Sequence, residues 1–298
     1  MRLLPYCLSL CILLMIPTAG ATQELLRYKS QPDKQLIYEH QTSTLIDTKH
    51  LRYQHPAKWK ATEKVRHTDD GELEVSAIYT KVDETLSLKH HPPQRSSGGP
   101  GREELILHEV RGLLKNKDFS HRMTPQGALT SFTAPNDEGV RHRDKDPFHS
   151  VLSALEFECA TRFPELPSDA VSVGDTWTSE RTRSVAVPAM EDSSTISVVS
   201  TFKVKKAKKN KGFACFEIEG EVEVNSVGYI IAGEVSFVES GSGKGKIKLL
   251  FDYERGLIQK YEAEISSKTQ IDGLSGLTEN QQEGRSRTTY KWELKSVE

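Results

Sequence analysis

The sequence predicts a mainly β protein, built as two related antiparallel β-meanders with one or two short helices packed on them. Three observations lead there. Several stretches alternate apolar and polar residues with period two. One central stretch carries apolar residues at helical spacing and is closed by two prolines. Turn and aromatic landmarks recur in the two halves at similar separations.

The clearest strand is "GFACFEIEGEVEV" (212–224). Ala214, Phe216, Ile218, Val222 and Val224 share one face, and Glu217, Glu219, Glu221 and Glu223 the other, so this is a sheet with one wet face. "KIKLLFDYERGLIQKYEAEI" (246–265) repeats the pattern on either side of a turn at Glu254-Arg255-Gly256, and "TTYKWELKS" (288–296) repeats it with Tyr290, Trp292 and Leu294. In the first half, 35–46, 58–67 and 72–82 read as strands, with Asp69-Asp70-Gly71 turning between the last two. The stretch 90–101 is a loop by composition. Between the halves, Asp146 and Pro147 suit a helix start, and Phe148, Val151, Leu152, Leu155 and Cys159 form one stripe. Pro164 and Pro167 stop it. A weaker helix is expected over 103–114.

"TPQGALTSF" (124–132) and "YERGLIQKY" (253–261) each place an aromatic five positions after a turn glycine. Tyr38 and Trp177 stand at comparable distances upstream of those glycines. The expected organisation is therefore a leader at 1–21, an N-terminal meander at 22–145, a helix and proline hinge at 146–167, and a C-terminal meander at 168–298. The leader has Arg2, an apolar run from Leu3 to Ile16, Pro17, and small residues before cleavage after Ala21. The run is short for a membrane span, and no later stretch approaches that length. The chain is thus expected to be exported, periplasmic or secreted, with no transmembrane segment once the leader is removed. Forty basic residues against 42 acidic ones give no drive toward nucleic acid.

"FPELP" followed by "VSVGDTW" (163–167 and 171–177) resembles the signature of an uncharacterised family of secreted bacterial proteins, F-P-x-L-P, a spacer, then V-x-V-G-D-x-W. "FDYERGLI" (251–258) is similar to that family too, and the matching motifs fall within 148–298. The family is similar in design to periplasmic lipoprotein-carrier half-barrels. What the resemblance implies is one continuous curved, half-barrel-like sheet around a helical plug, with no catalytic residues to carry over.

Chemical motifs are sparse. All ten histidines precede residue 150, and no pair has a zinc site's helical spacing or cysteine partners, so no metal is expected. His40 is in phase with Tyr38, and Glu63 with Trp59 and Val65, which makes this pair the one acid–base candidate. There is no G-x-S-x-G. "ESGSGKGK" (239–246) lacks the Ser or Thr after its lysine that a phosphate loop needs, and reads as a flexible hairpin turn; no cofactor is expected. Cys7 and Cys11 leave with the leader. Cys159 and Cys215 are the candidate disulfide, although Cys159 lies on the helix's apolar stripe and Cys215 on the glutamate face of its strand. "KVKKAKKNK" (203–211) reads as a solvated hairpin end.

Three readings follow. In the first, a non-enzymatic envelope protein binds a lipid or other apolar small molecule against Phe202, Phe216, Ile218, Leu249, Phe251, Tyr261 and Trp292. In the second, a structural or protein-interaction module of the envelope has a filled core. In the third, a hydrolase uses His40 and Glu63.

Overall fold

A computed structural model describes residues 23–48, 51–84, 87–90, 114–136, 155, 159, 162–186, 193–232, 235–273 and 282–298. The expected leader with its cleavage site, most of 103–114 and most of 147–159 lie outside the described residues. The strands are β1 (Leu36–Thr48), β2 (Leu51–His67), β3 (Leu73–Glu84), β4 (Ser87–His90), β5 (Asp118–Met123) and β6 (Leu129–Thr133), then β7 (Thr176–Ala186), β8 (Ser193–Asn210), β9 (Phe213–Ala232), β10 (Val235–Asp252), β11 (Leu257–Gly273) and β12 (Gln282–Val297).

They form one open antiparallel sheet in the order β6-β5-β3-β2-β1-β12-β11-β10-β9-β8-β7, with β4 added beside the start of β2. Each half is a meander, and both are laid down in the same direction across the sheet. They join where the first strand pairs with the last, Leu36 opposite Val297 through Thr48 opposite Gly284. β9 has 20 residues and β8 and β10 have 18 each, against a usual length of about 5–6. Strands this long accumulate the right-handed twist that curves a sheet.

The alternation seen in sequence maps onto the two faces. On the convex face, cross-strand rows alternate in charge: Lys203 stands opposite Glu219, which stands opposite Lys248, then Glu262, then Lys291. The lysine run at 203–211 is part of this pattern, at the end of the β8–β9 hairpin. Lys205 meets Glu219 at 3.2 Å, and Lys206 and Lys208 both reach Glu217. The concave face carries the core.

One end of the half-barrel is plugged. Residues 24–31 run inward between two turns that hold matching glycines. Tyr28 N–H donates to Pro125 O at 2.8 Å beside Gly127, and Lys29 N–H donates to Gly256 O at 3.4 Å. Both glycines have left-handed φ, +101° and +67°, and a Cβ at either would strike this segment. Tyr28 packs edge-on against Phe163 and Phe251 and donates to Pro164 O. The "FPELP" motif is thus the other part of the plug, with Phe163 and Leu166 buried. It also bridges the open edges of the sheet: Leu166 N–H donates to Gln126 O in the β5–β6 turn, and Trp177 Nε1–H on β7 donates to Glu165 O. Leu155, Cys159 and Arg162, the described residues of the preceding segment, are helical. Leu155 and Cys159 pack with Trp59, Tyr79, Leu114 and Phe119 under the first meander.

Two expectations are corrected. Residues 239–246 are not a hairpin turn but the interior of β10, paired on both sides from Glu239 to Lys246. Their glycines fall at alternate positions, so they are the small members of one face of a strand. No disulfide joins Cys159 and Cys215. Cys159 belongs to the first meander's core. Cys215, on β9, is covered by the β10–β11 turn, with Asp252 opposite it and Arg255 over the Phe213 ring. Burial, the largest cause, pushes the Cys215 thiol up to about 11.

Candidate ligand-binding hollow

Beyond the plug the concave face is open, and the strand registers set out what lies there row by row. The row nearest the plug is apolar and aromatic: Ile218, Leu249, Tyr261 and Trp292 stand in line across β9 to β12, continuing into His40 and Trp59. The next holds Trp177, Phe202, Ile247 and Tyr290, with Gly220 beneath the Phe202 ring. The third holds Ser179, Ser200, Val222, Ile265, Thr288 and Thr44, and the fourth Val198, Val224, Ser267 and Ser286. Gly245 and Gly243 occupy the β10 positions of these last two rows, leaving the floor at backbone level. Val222 and Ile265 lean over Gly245, where a Cβ would lie 2.9 Å from each.

Residues from these rows line a hollow of about 320 Å³. Phe202, Tyr261 and Trp292 line it, the last two stacked at 4.3 Å and 13°. The other four residues expected at the site, Phe216, Ile218, Leu249 and Phe251, do not line it. They are wholly buried in the core near the plug, where Tyr28 and its neighbours fill the space. The hydroxyl residues of the outer rows were missed in the sequence. Their signal was there: the alternating phase of Trp292 and Tyr290 runs on through Thr288 and Ser286, and that of Tyr38 and His40 through Thr42 and Thr44.

At the inner end, the acid–base pair is not formed. His40 and Glu63 both face inward, as their phase required. However, His40 is opposite Trp59, and Glu63 lies four residues further along β2, roughly 13 Å away along the strand. His40 stacks on Trp59 at 5.3 Å and 7°. Glu63, 1% exposed, receives two guanidinium hydrogen bonds from Arg162, one of them 2.9 Å. Arg162 in turn lies over the rings of Tyr38, Phe163 and Trp292 at 4.8–5.2 Å. Burial alone would weaken the Arg162 charge, but the Glu63 carboxylate more than offsets it and holds its pKa up. Arg162 is the residue sequence reasoning missed here. It follows Leu155 and Cys159 at helical spacing, so it lies in phase with a buried stripe, and a buried cation requires a buried anion.

Two histidines flank this pair. His40 and His121 are 3% and 2% exposed, and neither ring nitrogen of either has a protein hydrogen-bond partner among the described residues. Burial first, and then Arg162, lowers both pKa values, that of His121 to about 3 and that of His40 well below its ordinary value. Both rings are therefore neutral at physiological pH. Among the described residues no three metal-binding side chains cluster, and no helix is long and apolar enough to cross a membrane.

No family model and no curated protein matches the chain. Among solved structures it is similar to lipovitellin, in a structure of lipid–protein interactions in that protein, with a TM-score of 0.46 and 10% identity. The alignment covers 91% of this chain and 26% of that one, so the chain spans about a quarter of lipovitellin's length. OccK11 (OpdR) of Pseudomonas aeruginosa aligns over 90% of this chain and 97% of its own at 6% identity and a TM-score of 0.19.

Proposed function

We propose that the protein is an exported, non-enzymatic envelope protein that holds a lipid or other apolar molecule in the hollow of its curved sheet. The observation that carries this reading is the hollow itself. Its volume of about 320 Å³ falls at the lower end of the range of about 300–1,000 Å³ typical of small-molecule sites, and its inner walls are aromatic and aliphatic. A filled-core module would have no space there beyond a few waters. Export rests on the leader-like N-terminus. The non-enzymatic reading is supported by the engagement of Glu63 with Arg162 and by the sparse chemical motifs.

Native mass spectrometry of the full chain, released from cells without detergent, tests the reading. The expected result is an adduct that organic extraction removes. A bare protein mass in every charge state, together with no displacement of a bound apolar dye by lauryl amphiphiles, would overturn it.

A further inference from the structure

We infer that the occupant of the hollow is a neutral single-chain amphiphile. Its tail lies against Phe202 and Tyr261, and its uncharged hydroxyl, ester or amide head lies among Thr44, Thr288, Ser267 and Ser286. This inference rests on the ligand-binding reading above and specifies the ligand's chemistry.

The argument comes from the gradient along the strands. On β11, β12 and β1, moving away from the plug, the concave face passes from aromatic rings through a mixed row to hydroxyls beside the glycines of β10, while Val222, Val224 and Val198 keep β9 and β8 apolar. One end of the hollow thus suits hydrocarbon and the other suits polar groups. The hydroxyls stand in cross-strand pairs. Ser267 and Ser286 are 2.6 Å apart, and Thr44 and Thr288 are 3.4 Å apart. One hydroxyl of a pair donates to the other, which leaves one O–H and several lone pairs per pair to a ligand. Such a surface both gives and accepts hydrogen bonds, as a neutral polar head requires.

An ionised head would need a counter-charge, because an unpaired charge out of water is costly. Among the described residues, no Asp, Glu or Lys lines the hollow. Its two basic lining residues are already engaged. His55 pairs with the Glu84 carboxylate. Arg181, on edge strand β7, places Nη2 against Gly127 O at 3.0 Å and Phe163 O at 2.7 Å, with the Glu165 carboxylate in its field. Its guanidinium braces the edge strand to the plug.

Competition binding on the delipidated full chain tests the inference, with a phenylnaphthylamine dye displaced by monolaurin, laurate or lauryltrimethylammonium at neutral pH. These share one tail and differ in head charge. Monolaurin is expected to compete roughly tenfold more tightly than either ion. In the isosteric Thr44→Val/Thr288→Val variant this preference is expected to fall roughly fivefold. Laurate binding as tightly as monolaurin would overturn the inference and make Arg181 the head-group reader, and so would a variant that keeps the full preference. In both cases the dye still binds and the ligand-holding reading stands. A chain that binds neither dye nor any lauryl ligand takes down that reading and this inference together.

Discussion

Glu63→Ala is expected to lower the stability of the folded chain by about 3–5 kcal/mol, a large part of what a domain usually has. The carboxylate is 1% exposed and receives both hydrogen bonds from the Arg162 side chain. Removing it leaves a guanidinium buried under Tyr38, Phe163 and Trp292 with no anion beside it. The pair also joins β2 of the first meander to the segment that becomes the plug, so its loss loosens the contact between the two. Denaturant midpoints measure the effect. The double replacement Glu63→Leu/Arg162→Met should recover most of the loss, because an apolar pair of similar volume avoids the cost of burying charge. A single variant that loses less than about 1 kcal/mol would mean the pair is screened by water.

The second large effect is on acid stability. His40 and His121 are neutral in the folded chain because burial, reinforced by Arg162, holds their pKa values down, that of His121 at about 3. In the unfolded chain each takes up a proton near pH 6.5. Between those values the unfolded state binds more protons, so stability rises with pH. The contribution is fully present above pH 6.5 and is lost as pH falls toward about 3. Each histidine costs about 1.4 kcal/mol per pH unit from pH 6.5 down to its own folded-state value, which is about 3 for His121. Urea midpoints between pH 7 and pH 5 should therefore fall in the native chain and fall less in a His40→Phe/His121→Phe variant. Equal slopes in the two proteins would show that these rings are not held neutral.

The strands of the second meander were legible because one face is packed and the other is a lysine–glutamate surface, and that contrast survives in the bare sequence of 212–224. Residues 239–246 were misread for a local reason. Glycines normally mark turns, but here they sit on the one face where bulk is unwanted, and only the neighbouring Val222 and Ile265 reveal it. The inward phase of His40 and Glu63 was readable. Their distance was not, because it depends on the register of β1 against β2. The same holds for the seven residues expected to line a ligand site. Phase placed all of them on the concave face, but only the position of the plug divides Phe202, Tyr261 and Trp292 from the four it helps bury. A plug built from residues 24–31 and 163–171 cannot be seen in periodicity, since neither stretch is regular.

Dye binding by a Ser200→Phe variant tests the ligand-holding hollow most directly. Ser200 is a small residue on the hollow's wall, level with Val222 and Gly245. A phenyl ring there occupies the space at a cost of about 1–3 kcal/mol in packing strain, so the fold survives. If the hollow holds the ligand, the variant melts within several degrees of the native chain, yet binds the dye and monolaurin at least roughly tenfold more weakly. Native affinity for both in a folded Ser200→Phe protein would contradict the account and place the binding elsewhere.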